Sequence, residues 1–196
     1  MTNETSNPLL DFSDLPRFDA IKPEHVTSAI DSLIAEANAV VAQLEAPLDE
    51  VTWATLAPLD DVGERLGRAW GVVGHLNHVV DTPELRATYN ENQPKVVEFS
   101  TALGQNEALF TKYKQLRESA GFEALSDTRK RIVENALRDF RLGGAELAAD
   151  KKERFAEIQE EQSQLSTRFS ENVLDATNDY KLVVDSEAEL AGLPDD

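Results

Sequence analysis

The chain has 196 residues, 41% hydrophobic and 29% charged, with 19 Lys+Arg against 37 Asp+Glu for a net charge of −18. That length and balance suit a folded globular domain and exclude an intrinsically disordered chain, while the excess acid repels nucleic acid and anionic lipid surfaces. The absence of cysteine excludes disulfides, thiolate zinc sites and thiol nucleophiles, and no apolar run approaches the roughly 20 residues that cross a bilayer.

The opening stretch from Met1 to Pro8 is polar and carries Glu4, unlike a secretory signal, so a cytoplasmic location is expected. Residues 1–22 read as an extended segment that Leu9, Leu10, Phe12 and Leu15 pin to the body. A first helix is expected from Pro23, a residue suited to the first helical position because its missing N–H is not needed there. Val26, Ile30, Leu33, Ala37, Val40 and Leu44 recur at helical spacing, and Pro47 closes the helix. Thr52 is placed to cap a second one, with the stripe Leu59, Val62, Leu66, Ala69, Val73, Leu76 and Val80. Pro58 deletes a backbone donor in its early turns and is expected to bend it.

Gly63, Gly67, Gly71 and Gly74 line up on one face of that second helix, at spacings of four, four and three. Each costs roughly 1 kcal/mol against alanine in a helix interior, so a close-packed neighbouring backbone is expected there. Thr82-Pro83-Glu84 restarts the chain as a capped helix with an acid in its first turn, which Pro94 is expected to kink or end. A shorter helix follows from about Gln105 to Ser119, with Leu109, Phe110, Tyr113 and Leu116 facing inward. Ser126 caps the next, carrying Ile132, Val133, Ala136, Leu137 and Phe140, and Gly143-Gly144 stops it.

The last helix is the longest, from roughly Ala148 to Tyr180. Its stripe is Phe155, Ile158, Leu165, Phe169, Val173, Ala176 and Tyr180, and at 1.5 Å per residue it measures roughly 50 Å. A small bundle covers so long a helix poorly, so one end is expected to reach toward something the chain lacks. Leu182-Val183-Val184 reads as a short extended segment and Ser186 as the cap of a small helix. The fold class is therefore all-α, a multi-helix antiparallel bundle with one long C-terminal helix. The expected divisions are 1–22, a helical domain over 23–180, and a connecting segment over 181–196.

Little in these helices points to chemistry. His75 and His78 lie three apart on one helix, but His-Leu-Asn-His lacks the spacing and the glutamate of the His-Glu-x-x-His zinc helix. The adjacent carboxylates Asp60-Asp61, Glu160-Glu161 and Asp195-Asp196 diverge on a helix and read as solvated faces, since acid catalysis needs convergent groups with separated pKa values. Arg129-Lys130-Arg131 sits between Asp127 and Glu134, where local ion pairing accounts for it. No serine lies in a Gly-x-Ser-x-Gly elbow. No catalytic, cofactor-binding or metal-binding residue is assigned.

Several stretches carry a family resemblance: Asn7-Pro8-Leu9-Leu10, Pro23-Glu24-His25-Val26, the glycine-rich helix with its continuation to Glu91, Gly104 to Leu109, Ile132 to Gly144, and Glu189 to Pro194. In order and spacing they resemble the N-terminal region of the oligopeptidase A type in the thimet oligopeptidase/neurolysin family of zinc metallopeptidases. The resemblance implies two helical domains facing each other across a deep channel that admits short unstructured peptides. It also implies a zinc ion held by two histidines of a His-Glu-x-x-His helix and a downstream glutamate, whose motif glutamate activates water. No position here matches that helix. The expectation is a non-catalytic N-terminal domain that shapes the channel, inactive alone, with zinc and the covalently linked catalytic domain belonging to the complete enzyme. A truncated product, a split gene and an excised domain all fit. The alternative is a stand-alone helical interaction module, possibly one that pairs with a separately encoded catalytic half. Neither nucleic acid nor membrane is expected as a partner.

Overall fold

The structure, a computed structural model, describes residues 7–192. Met1 to Ser6 of the polar opening stretch, and Leu193 to Asp196 with the last carboxylate pair, lie outside the described residues. Seven α-helices and two short 3-10 turns make up the regular structure, and no strand occurs among the described residues. The helices are α1 (Pro23–Glu45), α2 (Trp53–Val79), α3 (Pro83–Gly104), α4 (Glu107–Glu118), α5 (Ala120–Glu123), α6 (Asp127–Gly143) and α7 (Ala149–Asp179). The fold is all-α. It divides into two compact units, one running through Glu160 and the other from Glu161.

Local chemistry sets the helix ends. The Pro8–Leu10 turn begins at Asn7, whose side chain accepts from the Leu9 N–H and donates to the His25 carbonyl oxygen at 2.7 Å. At the start of α1 the ring nitrogen Nδ1 of His25 accepts from the Lys22 N–H at 3.1 Å. Thr52 and Thr55 exchange backbone and hydroxyl bonds across the first turn of α2, a reciprocal cap that satisfies two otherwise orphaned donors. Thr82 caps α3, Asn106 caps α4 and Ser126 caps α6. Between α2 and α3, Asp81 takes φ 46°, an uncommon conformation for a side-chain-bearing residue. The Arg86 guanidinium holds it there by donating to both carboxylate oxygens, at 2.9 and 2.6 Å.

Helices α1, α2 and α3 pack up-down-up around a core of Leu9, Val26, Ala29, Ile30, Leu33, Leu66, Ala69, Val72, Val73, Leu76 and Leu85. Trp70 and Tyr89 stack at 4.7 Å on its margin. The other end of the α1–α2 pair meets α4, α5 and α6 in a second core, where Leu44, Leu56, Leu59, Leu109, Phe110, Tyr113, Leu116, Phe122, Val133, Leu137 and Phe140 are buried. Apolar burial at roughly 25 cal/mol per Å² makes these two clusters the main stabilising contribution.

Several expectations are corrected. Pro94 does not end α3, which continues to Gly104; contacts on both sides of it, from Leu85 and Tyr89 to Val96 and Phe99, carry the helix past the missing N–H. The second helix also includes Pro58 within its span. Leu15 is 82% exposed and does not pin the N-terminal segment; Leu9 does, and Phe12 lies beneath the guanidinium groups of Arg65 and Arg68. Ile132 faces solvent while Val133, its neighbour, is buried. The short α5 was not anticipated. The glycine stripe also behaves differently. A Cβ at Gly63, Gly67 or Gly71 would meet nothing within 4 Å, and at Gly74 only the Tyr89 ring edge at 4.0 Å. Close backbone contact occurs elsewhere, between Gly104 at the end of α3 and Gly143 at the end of α6.

Candidate functional site

Two surface grooves border α3. The one shared with α1 has a volume of about 410 Å³ and is lined by Ile34, Ala35, Asn38, Phe99 and Ala102, with the Lys95–Asp31 ion pair of 2.7 Å at one end. A neighbouring concavity along the same helix pair is lined by Asn106, which donates to Glu45 at 2.7 Å. Alanines at the lining positions leave the concavity. The second groove, about 430 Å³, lies between α3 and the beginning of α7. Pro94, Val97, Ala102 and Ala156 form its apolar part, and its charged lining is Glu98, Glu153, Glu157 and Glu160. Such a groove favours a positively charged side chain over an acidic one. Glu157 is paired with Arg154 at 2.7 Å.

A clasp that sequence reasoning missed fixes the base of α7. The Gln105 amide donates to the Lys152 carbonyl oxygen at 3.0 Å, the Lys152 ammonium donates to the Gln105 carbonyl oxygen at 3.1 Å, and the same ammonium pairs with Glu107. That hydrogen bond and the charge of Lys152 hold the Glu107 carboxyl below the usual glutamate range. Gln105 and Lys152 lie 47 residues apart in the chain, so no local pattern announces their meeting.

The histidines are not gathered into a site. His25 serves the α1 cap, His75 meets the Phe18 ring edge-on at 5.4 Å, and Nδ1 of His78 bonds the Gly74 carbonyl oxygen at 2.6 Å. Among the described residues no group of three His, Asp or Glu side chains is placed to hold a metal ion. With only two neighbouring imidazoles and no carboxylate completing the set, these residues do not fit a zinc ion.

Asp60 and Asp61 differ in environment despite being adjacent. Burial, and secondarily the charge of Asp61, pushes the Asp60 carboxyl up. Tyr113, buried in the second core, is pushed further from its ordinary value by burial and then by the charge of Asp60. Neither has a nucleophile or a base partner arranged for catalysis. In the basic cluster, Arg129 lies over the Trp53 ring at 5.1 Å, Lys130 pairs with Glu123 at 3.3 Å, and Arg131 reaches Glu134 at 4.0 Å. Lys130 and Arg131 thus make the expected ion pairs, whereas Arg129 packs on an aromatic ring.

Grooves and ion pairs give no family by themselves; comparison with known proteins does. The pattern of the neurolysin/thimet oligopeptidase N-terminal domain matches residues 30–152. The chain belongs to the neurolysin/thimet oligopeptidase family. Within it, the chain is similar to Oligopeptidase A of Haemophilus influenzae, 43% identical over 192 residues, which covers 97% of this chain and 28% of that protein. Oligopeptidase A of Escherichia coli is 41% identical over 191 residues, 97% of this chain and 28% of its own length. The protein of Arabidopsis thaliana described as probable cytosolic oligopeptidase A is 41% identical over 191 residues, with 97% and 27% covered. The chain thus spans about a quarter of the length of the curated relatives it matches. No helix among the described residues is long and apolar enough to cross a membrane.

Proposed function

We propose that this chain is the N-terminal, non-catalytic helical domain of a cytoplasmic zinc metalloendopeptidase that degrades short oligopeptides. The helices of residues 23–180 form one wall of a substrate channel. Residues 1–22 brace that wall, and residues 181–196 begin the connection to a catalytic domain bearing the His-Glu-x-x-His helix. The observation that supports this reading is the family match running through 97% of the chain while accounting for 28% of the oligopeptidase A relatives. The chain's own contribution is positional. Two packed cores hold α1, α2, α3, α4 and α6 as stiff rods, and rods of fixed spacing exclude folded substrates by width.

The test is a fusion of this chain to the remainder of the E. coli relative, assayed on short peptides with and without chelator. The expected result is chelator-sensitive hydrolysis by the fusion and none by the chain alone. Chelator-sensitive turnover by the purified chain, or a fusion that folds but stays inactive, overturns the proposal.

A further inference from the structure

The described residues of the second compact unit include an exposed apolar band. Leu165, Phe169 and Val173 are 54%, 70% and 50% exposed, and their four-residue spacing places them on one face of α7. Leu182, Val183 and Val184 add exposed apolar side chains beyond the helix. No residue of α7 is buried, whereas α1, α2, α4 and α6 each bury residues turn after turn. Positions on another side of the same helix, Ser163, Thr167 and Leu174, are half-buried. The apolar face is therefore exposed while another side is half-buried, the reverse of what a helix packed by its apolar stripe shows.

We infer that the Leu165–Phe169–Val173 face is the docking surface for the polypeptide that the relatives carry beyond the matched 28% of their length. The inference rests on the reading under Proposed function and names the face through which that reading operates. Two observations select this occupant. The relatives share nearly the whole of this chain yet extend far past it, so a large surface is available to meet the band. A second copy of the chain is disfavoured by charge, since each copy carries −18. Residues 157–179 also hold six acids against the single base Arg168, and like charges brought together across an interface oppose association. The same argument assigns the partner's chemistry: an apolar groove with lysine or arginine on its rim.

The experiment uses the fusion described above and the chain itself, each with the paired substitutions Leu165→Glu and Phe169→Glu, and Ser170→Glu as a control. In the isolated chain the pair is expected to leave the melting temperature unchanged, because both side chains already face water, and to reduce binding of an apolar dye. In the fusion it is expected to lower kcat/KM at least tenfold and raise dye binding, with Ser170→Glu near the unsubstituted value. A fusion carrying both glutamates that keeps full activity and stability overturns the docking face and leaves the proposed function standing. An unsubstituted fusion that folds without activity overturns the proposed function instead. A dimer of the isolated chain at neutral pH, dissolved by the glutamate pair, overturns the inference in favour of a second copy as the occupant.

Discussion

Gly143 leaves no room for a methyl group. A Cβ there would stand 3.0 Å from the Gly104 Cα and 3.0 Å from its carbonyl oxygen, backbone atoms that cannot rotate aside. Gly143→Ala is therefore expected to lower stability by about 1–3 kcal/mol, the usual cost of forced overpacking, measurable by urea denaturation. Gly67 is the opposite case. Its Cβ would meet open space in an exposed helix interior, so Gly67→Ala is expected to raise stability by roughly 1 kcal/mol from helix propensity alone. The two glycines look alike in the sequence because spacing reports a shared helix face but not what lies opposite it. Tyr113 supplies a pH test. Burial and the nearby Asp60 raise its pKa above the usual 10.0, so the fold holds the protonated phenol more tightly than the unfolded chain does. That contribution is fully present below pH 10.0 and is lost as pH rises toward the folded value. Alkaline denaturation is expected to show stability falling above that pH, with a shallower fall in Tyr113→Phe. Half-buried Tyr89, also raised by burial, adds to the slope.

Helix order and most helix ends were legible because they depend on neighbours in the chain. Pro23, Thr52, Thr82 and Ser126 mark starts, and Gly144 at φ 96° ends α6 with the left-handed residue expected there. Pro94 does not end α3 because the loss of one hydrogen bond is a local cost, whereas the packing of Val96 and Phe99 against the first core is a tertiary gain. The clasp at the base of α7 was illegible for the same reason. Lys152→Ala removes its bonds to Gln105 and Glu107, and is expected to speed hydrogen exchange at the α7 N-terminus several-fold while α1 and α2 stay protected. Acid should act in the same direction. The depressed pKa of Glu107 gives a contribution present above the usual 4.5 and lost as pH falls through the folded value.

For the molecule as a whole, net charge and uncovered apolar surface act against each other. At −18 like charges on two copies oppose association through the exposed band on α7 at neutral pH. Near the pI of about 4.5 that repulsion vanishes. Self-association is then expected in sedimentation velocity, weaker in a Leu165→Ser/Phe169→Ser variant, which loses the apolar band without changing charge.

From the sequence alone came the all-α class, the order and caps of the helices, the inward residues of α1 and α4, and the family, because each depends on short-range periodicity or on residues read in order. The partners of those helices belonged to the tertiary structure. Only the packed fold showed that Gly104 and Gly143 cross closely while the α2 glycines face open space. It also showed that Lys152 closes a clasp across 47 residues, and that the strongest apolar stripe of α7 is left uncovered. Periodicity along one helix defines a face; what meets that face is decided by segments distant in the chain, whose approach depends on the energy of the whole assembly.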